Sequence, residues 1–370
     1  MRYVNIMKQH ETMNVKYGVP VLFISCGIFV LLLNILGNRT SFKEPKPFHR
    51  NVSRKEVSKG LLDLRNFTYV ISPKCKVVNL IWIVTSYAGD ISERSALRRA
   101  YNTQELEQLG IQRIFLLGKL DQNSERKSQI SQAAIEDESR KFQDILQGNF
   151  FEAYRNLTYK HLMGLKWIVE SCDEISYIMK MDDDIVINLY EILNVMKEKN
   201  INNSIAGYVL DNMKPKREPA NKWYVTQEEF EPEFYPKFIS GWLYVTSYPV
   251  VVKLIENLQF SSKYFWIDDV FVTGLLREET DIELIDMRNI FTTDFGFLKC
   301  CIKNGRRGFK CEFAVGPNGG DAELQIRFQE FSKVCQSKCK QKSIKKSCVL
   351  AYKEKNLGEG SAQIRPINIF

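Results

Sequence analysis

Histidine is scarce in this chain of 370 residues: only His10, His49 and His161 occur. That nearly excludes histidine-rich metal chemistry, and a Ser-His-Asp triad would have to use His161. This residue sits in a helix-like run with no nucleophile elbow nearby. A Gly-x-Gly-x-x-Gly fingerprint is missing after the first strand-like run, which argues against a nicotinamide or flavin enzyme, and there is no Walker loop. Neither RNP-like aromatic motifs nor Cys2His2 spacing is found, so nucleic acid is not an expected partner. Internal repeats and low-complexity tracts are also lacking. The net charge of +8 is mild and spread along the chain; it suits a membrane surface or an anionic ligand without requiring either.

One long apolar run is present. Residues 19–36, VPVLFISCGIFVLLLNIL, are long enough at helical rise to cross a bilayer. Gly37-Asn38-Arg39 follows them in place of a small-residue cleavage site, so an uncleaved anchor is expected. Basic residues flank the run on both sides, which leaves the positive-inside rule silent or slightly adverse. Orientation is better read from the chain beyond the run. Sequons at Asn38, Asn51, Asn66, Asn156 and Asn202 all lie there, as do eight cysteines, an even number suited to disulfides in an oxidising compartment. The expectation is a type II membrane protein of the secretory pathway. It would have a cytosolic tail over 1–17, an anchor over 18–37, a luminal stem over 38–74, a catalytic domain over 75–295 and a basic, cysteine-rich extension over 296–370 packed on that domain.

Within the expected luminal part, apolar strand-like runs alternate with helical ones. Residues 77–86 (VVNLIWIVTS), 113–118 (RIFLLG), 177–181 and 205–210 read as strands. A helix begins near Ile91 with Ser92 as cap, 125–147 reads as one long charged helix, and helices are expected over 158–171, where Thr158 could cap, and 189–199. Such alternation implies an α/β fold with a mostly parallel sheet.

The stretch ISYIMKMDDDIVI, residues 175–187, carries the most chemistry. Asp182, Asp183 and Asp184 would sit at the carboxyl end of a buried strand, where open α/β sheets bind ligands. Three adjacent carboxylates repel one another unless a cation offsets them, and oxygen-only donors suit Mn²⁺ or Mg²⁺ bridging to phosphates. A solvated acidic turn is the alternative, which the apolar flanks disfavour. Arg94 and Arg98 follow the first strand, as diphosphate-binding forks or as a basic helix face. Tyr235-Pro236-x-Phe238-x-Ser240-Gly241 is a turn whose glycine would let a ligand approach the backbone. Asp268 and Asp269 form a second carboxylate pair in an aromatic setting, of the kind that tunes a general base.

In order and spacing these segments resemble the β1,3-glycosyltransferase family that includes the β1,3-galactosyl- and β1,3-N-acetylglucosaminyltransferases. The matching pieces are Arg94 to Tyr101, Tyr154 to Lys160, Lys180 to Asn188, Tyr235 to Gly241 and Asp268 to Gly274, and the resemblance spans roughly residues 77–275. It implies a GT-A-like nucleotide-sugar-binding fold and an inverting transfer of galactose or an N-acetylhexosamine from a UDP-sugar to a glycan hydroxyl in β1,3 linkage at the Golgi membrane. It also implies Mn²⁺ or Mg²⁺ on Asp184 and Asp182, and a general base at Asp269 beside Asp268. Donor or structural roles fall to Lys180, Asp182, Asp183, Arg94, Arg98 and Gly241. Trp242 could stack on a sugar or simply pack in the core. Three departures from the family pattern stand out: Ala100-Tyr101 replaces Thr-Trp, Asp268 replaces Glu with Thr273 added before Gly274, and no late histidine is available as a metal ligand. Water or a carboxylate such as Asp294 would have to substitute. A catalytically weakened, glycan-binding or chaperone-like relative is therefore the competing expectation.

Overall fold

The computed structural model describes residues 60–260, 263–305, 308–340 and 357. The expected tail, anchor, most of the stem and the sequons at Asn38 and Asn51 lie outside the described residues. Among those described, no helix is long and apolar enough to cross a membrane.

The strands are β1 (Tyr69–Ile71), β2 (Leu80–Thr85), β3 (Ile111–Lys119), β4 (Ile145–Phe151), β5 (Tyr177–Asp182), β6 (Ile185–Ile187), β7 (Ser204–Leu210), β8 (Phe238–Ser247), β9 (Glu283–Asp286) and β10 (Val315–Pro317). Eight of them form one sheet in the order β1-β4-β3-β2-β5-β8-β7-β9, while β10 and β6 form a separate antiparallel pair. Within the large sheet β4-β3-β2-β5 and β7-β9 run parallel. The pairs β1-β4, β5-β8 and β8-β7 are antiparallel. The fold is thus mixed α/β with a mostly parallel sheet. The central strand β2, LIWIVT, is buried at every residue, as a strand covered on both faces must be.

Helices α1 (Ile91–Ala100), α2 (Thr103–Gln108), α3 (Gln122–Ser128), α4 (Gln132–Phe142), α5 (Leu157–Ser171), α6 (Leu189–Glu198), α7 (Tyr248–Asn257), α8 (Phe295–Gly305) and α9 (Glu323–Lys338) complete the architecture. Local chemistry sets their starts. Asp90 caps α1 by accepting from Glu93 N, while Ser92, the expected cap, donates to Asp90 instead. Thr158 likewise does not cap α5; its hydroxyl lies inside the helix and donates to the Phe265 carbonyl.

The single long helix expected over 125–147 is not formed. Its place is taken by α3 and α4, each with its own cap, at Asp121 and Ser131, and by a break at Gln129, whose φ is 58°. Ile145 then opens β4, whose Gln147-Gly148-Asn149 centre hides the strand pattern. Gln147 is fully buried and satisfied by the Gly118 carbonyl and the Gln132 side chain, so a polar residue occupies an interior strand position without penalty.

The region after residue 288 is integral to this body. α9 packs on α1 and on β6, and Val186, Phe297, Leu298, Phe313, Leu324 and Phe328 form a satellite core. Disulfides join Cys75 to Cys172, Cys301 to Cys311 and Cys335 to Cys339, and Cys300 is disulfide-bonded as well.

Candidate active site

β2 and β5 run parallel with Thr85 opposite Asp182, so both strands end at the same edge of the sheet. There the chain turns through Asp183 and Asp184 into β6, and the Asp183 amide closes onto the Thr85 carbonyl at 3.1 Å. β8, antiparallel to β5, brings Ser240, Gly241 and Trp242 alongside. These segments wall an open cleft of ≈ 950 Å³, lined also by Asp268, Asp269 and Asp294 and by Tyr154, Trp223 and Trp266. The two carboxylate groups, 86 residues apart in sequence (182 to 268), meet at one site.

The aspartate turn is held from outside the strand that carries it. Asn318 N donates to the Asp184 carbonyl at 2.8 Å, and Gln325 Nε2 to the Asp183 carbonyl at 2.8 Å. β10 pairs with β6 directly after the turn. The extension after residue 295 therefore builds the site as well as packing on it, which the cysteine-rich, lysine-rich sequence did not reveal.

The second pair rests on a buried polar network. Lys180, 1% exposed, donates to Asp182 Oδ1 at 2.7 Å and to the Gly241 carbonyl at 2.7 Å, and lies 3.7 Å from Asp268 Oδ2. His161, fully buried, stands between Asp268 Oδ2 at 3.0 Å and the Tyr244 hydroxyl at 2.7 Å. Burial outweighs Asp268 and holds the imidazole below its ordinary pKa. Neutral, it must donate from Nδ1 to the carboxylate and accept at Nε2 from Tyr244. Burial by itself would raise Asp268, but Lys180 and His161 overcome it and keep that carboxyl well below the usual range. Asp269 goes the other way: burial and then repulsion from Asp268 push it up to about 7. It accepts from Gly241 N at 3.2 Å and from its own neighbour Val270 N at 2.8 Å. Two adjacent carboxyls are thus driven apart, one fixed as an anion and one poised near neutrality.

Burial also raises the triplet, Asp182 to about 6 and Asp183 to about 7, with Asp184 displaced upward too. Asp184 repels both of its neighbours, while Lys180, Ser86 and Lys222 offset part of the effect on Asp182, Asp183 and Asp184 respectively. A divalent cation would relieve that repulsion, and the donors are all oxygens. Among the described residues no three His, Cys, Asp or Glu side chains converge into a closed cage. The fit is to an open site of one or two carboxylates completed by water and phosphate oxygens.

Several expectations change. Arg94 is fully buried and spends its fork on Glu138, at 2.8 and 2.7 Å, and on the Tyr87 and Ala88 carbonyls. Arg98 binds Asp144 through a second fork, at 2.9 and 2.7 Å, and Glu138 at 2.6 Å. Neither lines the cleft, so both brace α1 against α4 and the start of β4, and the donor-binding alternative is replaced by the structural one. Lys180 lies under the cleft rather than facing it. Gly241 lines the cleft, and a Cβ there would lie 3.2 Å from Lys180 Nζ. Tyr101, at the Thr-Trp departure, donates to the Ile187 carbonyl at 2.7 Å and packs on Trp82. Trp242 is partly buried and lines the cleft.

The sequons differ in setting. Asn66 and Asn202 are exposed, whereas the Asn156 amide donates to the Phe151 carbonyl and Thr158 of the same sequon is fully buried. The loop between β7 and β8 contributes Lys214, Lys216, Lys222 and Trp223 to the cleft. Its mixture of Lys and Trp with prolines and acids lacks any strand or helix period, so the sequence carries no signal for it. Lys160, paired with Glu152 at 2.7 Å and bonded to the Ser86 carbonyl at 2.6 Å, is a further cleft residue without a pattern of its own. Its one signal is its place at the close of the Tyr154 to Lys160 motif.

A sequence model of the family described as galactosyltransferase matches residues 92–288. Beta-1,3-galactosyltransferase 5 of Gorilla gorilla gorilla is 32% identical over 236 residues, 63% of this chain and 76% of that protein. Beta-1,3-galactosyltransferase 2 of Pongo abelii is 32% identical over 244 residues, 64% of this chain and 56% of that protein. Among solved structures, the galactosyltransferase LgtC with donor and acceptor sugar analogs aligns over 72% of this chain and 99% of its own, at 8% identity and a TM-score of 0.32, too slight a likeness to carry weight. Sequence kinship over more than half the chain needs no such help: this protein belongs to the β1,3-galactosyltransferase family and is a glycosyltransferase.

Proposed function

We propose that the protein transfers galactose or an N-acetylhexosamine from a UDP-sugar to a glycan hydroxyl, with inversion and in β1,3 linkage. The observation that carries this reading is the meeting of the two carboxylate groups at one cleft. One group is cation-seeking; the other, half-buried at the same cleft, has a single member near neutrality.

Asp184 and Asp182 would hold Mn²⁺ or Mg²⁺, with water in place of the missing histidine. That ion supplies charge neutralisation for the departing diphosphate. The protein's own groups do the rest. Asp269 accepts the proton of the acceptor hydroxyl, and its raised pKa suits a base working near neutral pH. Asp268, held as an anion by Lys180 and His161, raises the proton affinity of the Asp269 carboxylate and so strengthens it as a base. Tyr154, with Trp266 at 5.8 Å and Lys222 over its ring at 5.1 Å, offers an aromatic wall for a sugar face. Direct in-line attack by the hydroxyl inverts an α-linked donor to a β-product without a sugar-enzyme intermediate.

The setting we propose is the Golgi membrane, with residues 19–36 as anchor and the described domain in the lumen; the disulfides and the exposed sequons support it. Screening UDP-galactose, UDP-N-acetylglucosamine and UDP-N-acetylgalactosamine against neutral glycan acceptors, with linkage analysis of the product, tests the proposal. A β1,3 product from one donor supports it; turnover of none defeats it.

A further inference from the structure

The segment after the carboxylate pair, Val270–Leu275, winds as a π-helix, a form frequent at functional sites. Asp268 and Asp269, directly before it, are aimed at His161 and Gly241, while Leu276 downstream is buried.

Thr273 itself closes this arrangement. It is fully buried, its hydroxyl donates to the Asp269 carbonyl at 2.7 Å, and it accepts from Ile239 N at 2.9 Å. Ile239 lies on β8 where the pairing with β7 shifts register. Two residues further along the same strand, Gly241 N bonds the Asp269 carboxylate. Asp269 is therefore tied to one strand twice, by its carbonyl through Thr273 and by its side chain directly.

We propose that Thr273 is a positioning residue for Asp269, its hydroxyl fixing the aim of the base. This rests on Asp269 acting as the base. Thr273→Val keeps the shape and removes the hydroxyl. Its kcat should fall at least about tenfold, with KM for the UDP-sugar changed less than about twofold, and amide exchange at Ile239 and Gly241 should quicken relative to Val245. Thr273→Ser, which keeps the hydroxyl, should return kcat to within about threefold of the wild type. Wild-type kcat and exchange in Thr273→Val would overturn the positioning role, as would a Ser variant as impaired as Val, which would reduce the residue to packing. If the Val variant does not fold, the Ser variant alone decides: near-wild-type turnover supports the role and a loss of about tenfold refutes it. A wild-type domain that turns over no donor is a different result; it sinks the assignment of the base, and the positioning role falls with it.

Discussion

In the proposed mechanism Asp269 is the residue on which the chemistry turns. Its carboxyl is pushed up to about 7 by burial and by Asp268, so the ionised, proton-accepting form is lost as pH falls through that value. The expected kcat/KM profile is flat above neutrality and declines about tenfold per pH unit below it. Asp269→Asn should remove that limb and cost roughly 10²–10⁴ in kcat, the usual worth of a general base, while leaving UDP binding intact. Steady-state kinetics from about pH 5 to about pH 8.5, with calorimetric UDP titration, checks both. Arg94 is the contrasting case. It is wholly buried with its fork on Glu138, so Arg94→Ala leaves that carboxylate to Arg98 alone and the Tyr87 and Ala88 carbonyls without their donor, which costs about 1–3 kcal/mol. Denaturant melts should show that loss; a change in donor KM with unchanged stability would restore the ligand role that the sequence left open.

At the scale of elements, the pieces legible in the sequence were those with a clean period. β2, β5 and α5 were readable because burial on both faces or on a stripe leaves an unbroken apolar signature, and the aspartates ending β5 marked the site. β4 was not, because Gln147 is satisfied inside the sheet and erases the pattern. The arginines were misplaced for a related reason: sequence shows a guanidinium but not the carboxylates, Glu138 and Asp144, that come to it from 40 or more positions away. The role of α9 was invisible too, since Gln325 reaches the Asp183 carbonyl across 142 residues. Gln325→Ala leaves that buried carbonyl without its donor and loosens the turn. UDP affinity in Mn²⁺ should weaken about three- to tenfold, the scale of one hydrogen bond, with the fold intact. An unchanged Kd would mean that β10 and Asn318 suffice to hold the turn.

Over the whole molecule, the family match ends at residue 288, but the folded body does not. The stretch beyond it supplies β10, α8 and α9 and two of the disulfides, and it closes one side of the cleft. At the other end Cys75–Cys172 bridges a separation of 97 residues, tying the entry of β2 to the end of α5. Closing so long a loop restricts the unfolded chain, so replacing both cysteines by serine should lower stability by about 2–4 kcal/mol without altering the site. A denaturant midpoint unmoved by the double replacement would show that burial alone holds that corner.

In the proposed reaction, two carboxylate groups brought to one cleft act together on a UDP-sugar. It is tested by UDP release from the purified protein with Mn²⁺, set beside chelator, Asp184→Ala and Asp269→Asn. Acceptor-dependent release by the wild type, abolished by chelator and by either substitution, is the predicted result. Undiminished release from Asp184→Ala or Asp269→Asn, or none from the wild type with any donor, would contradict it.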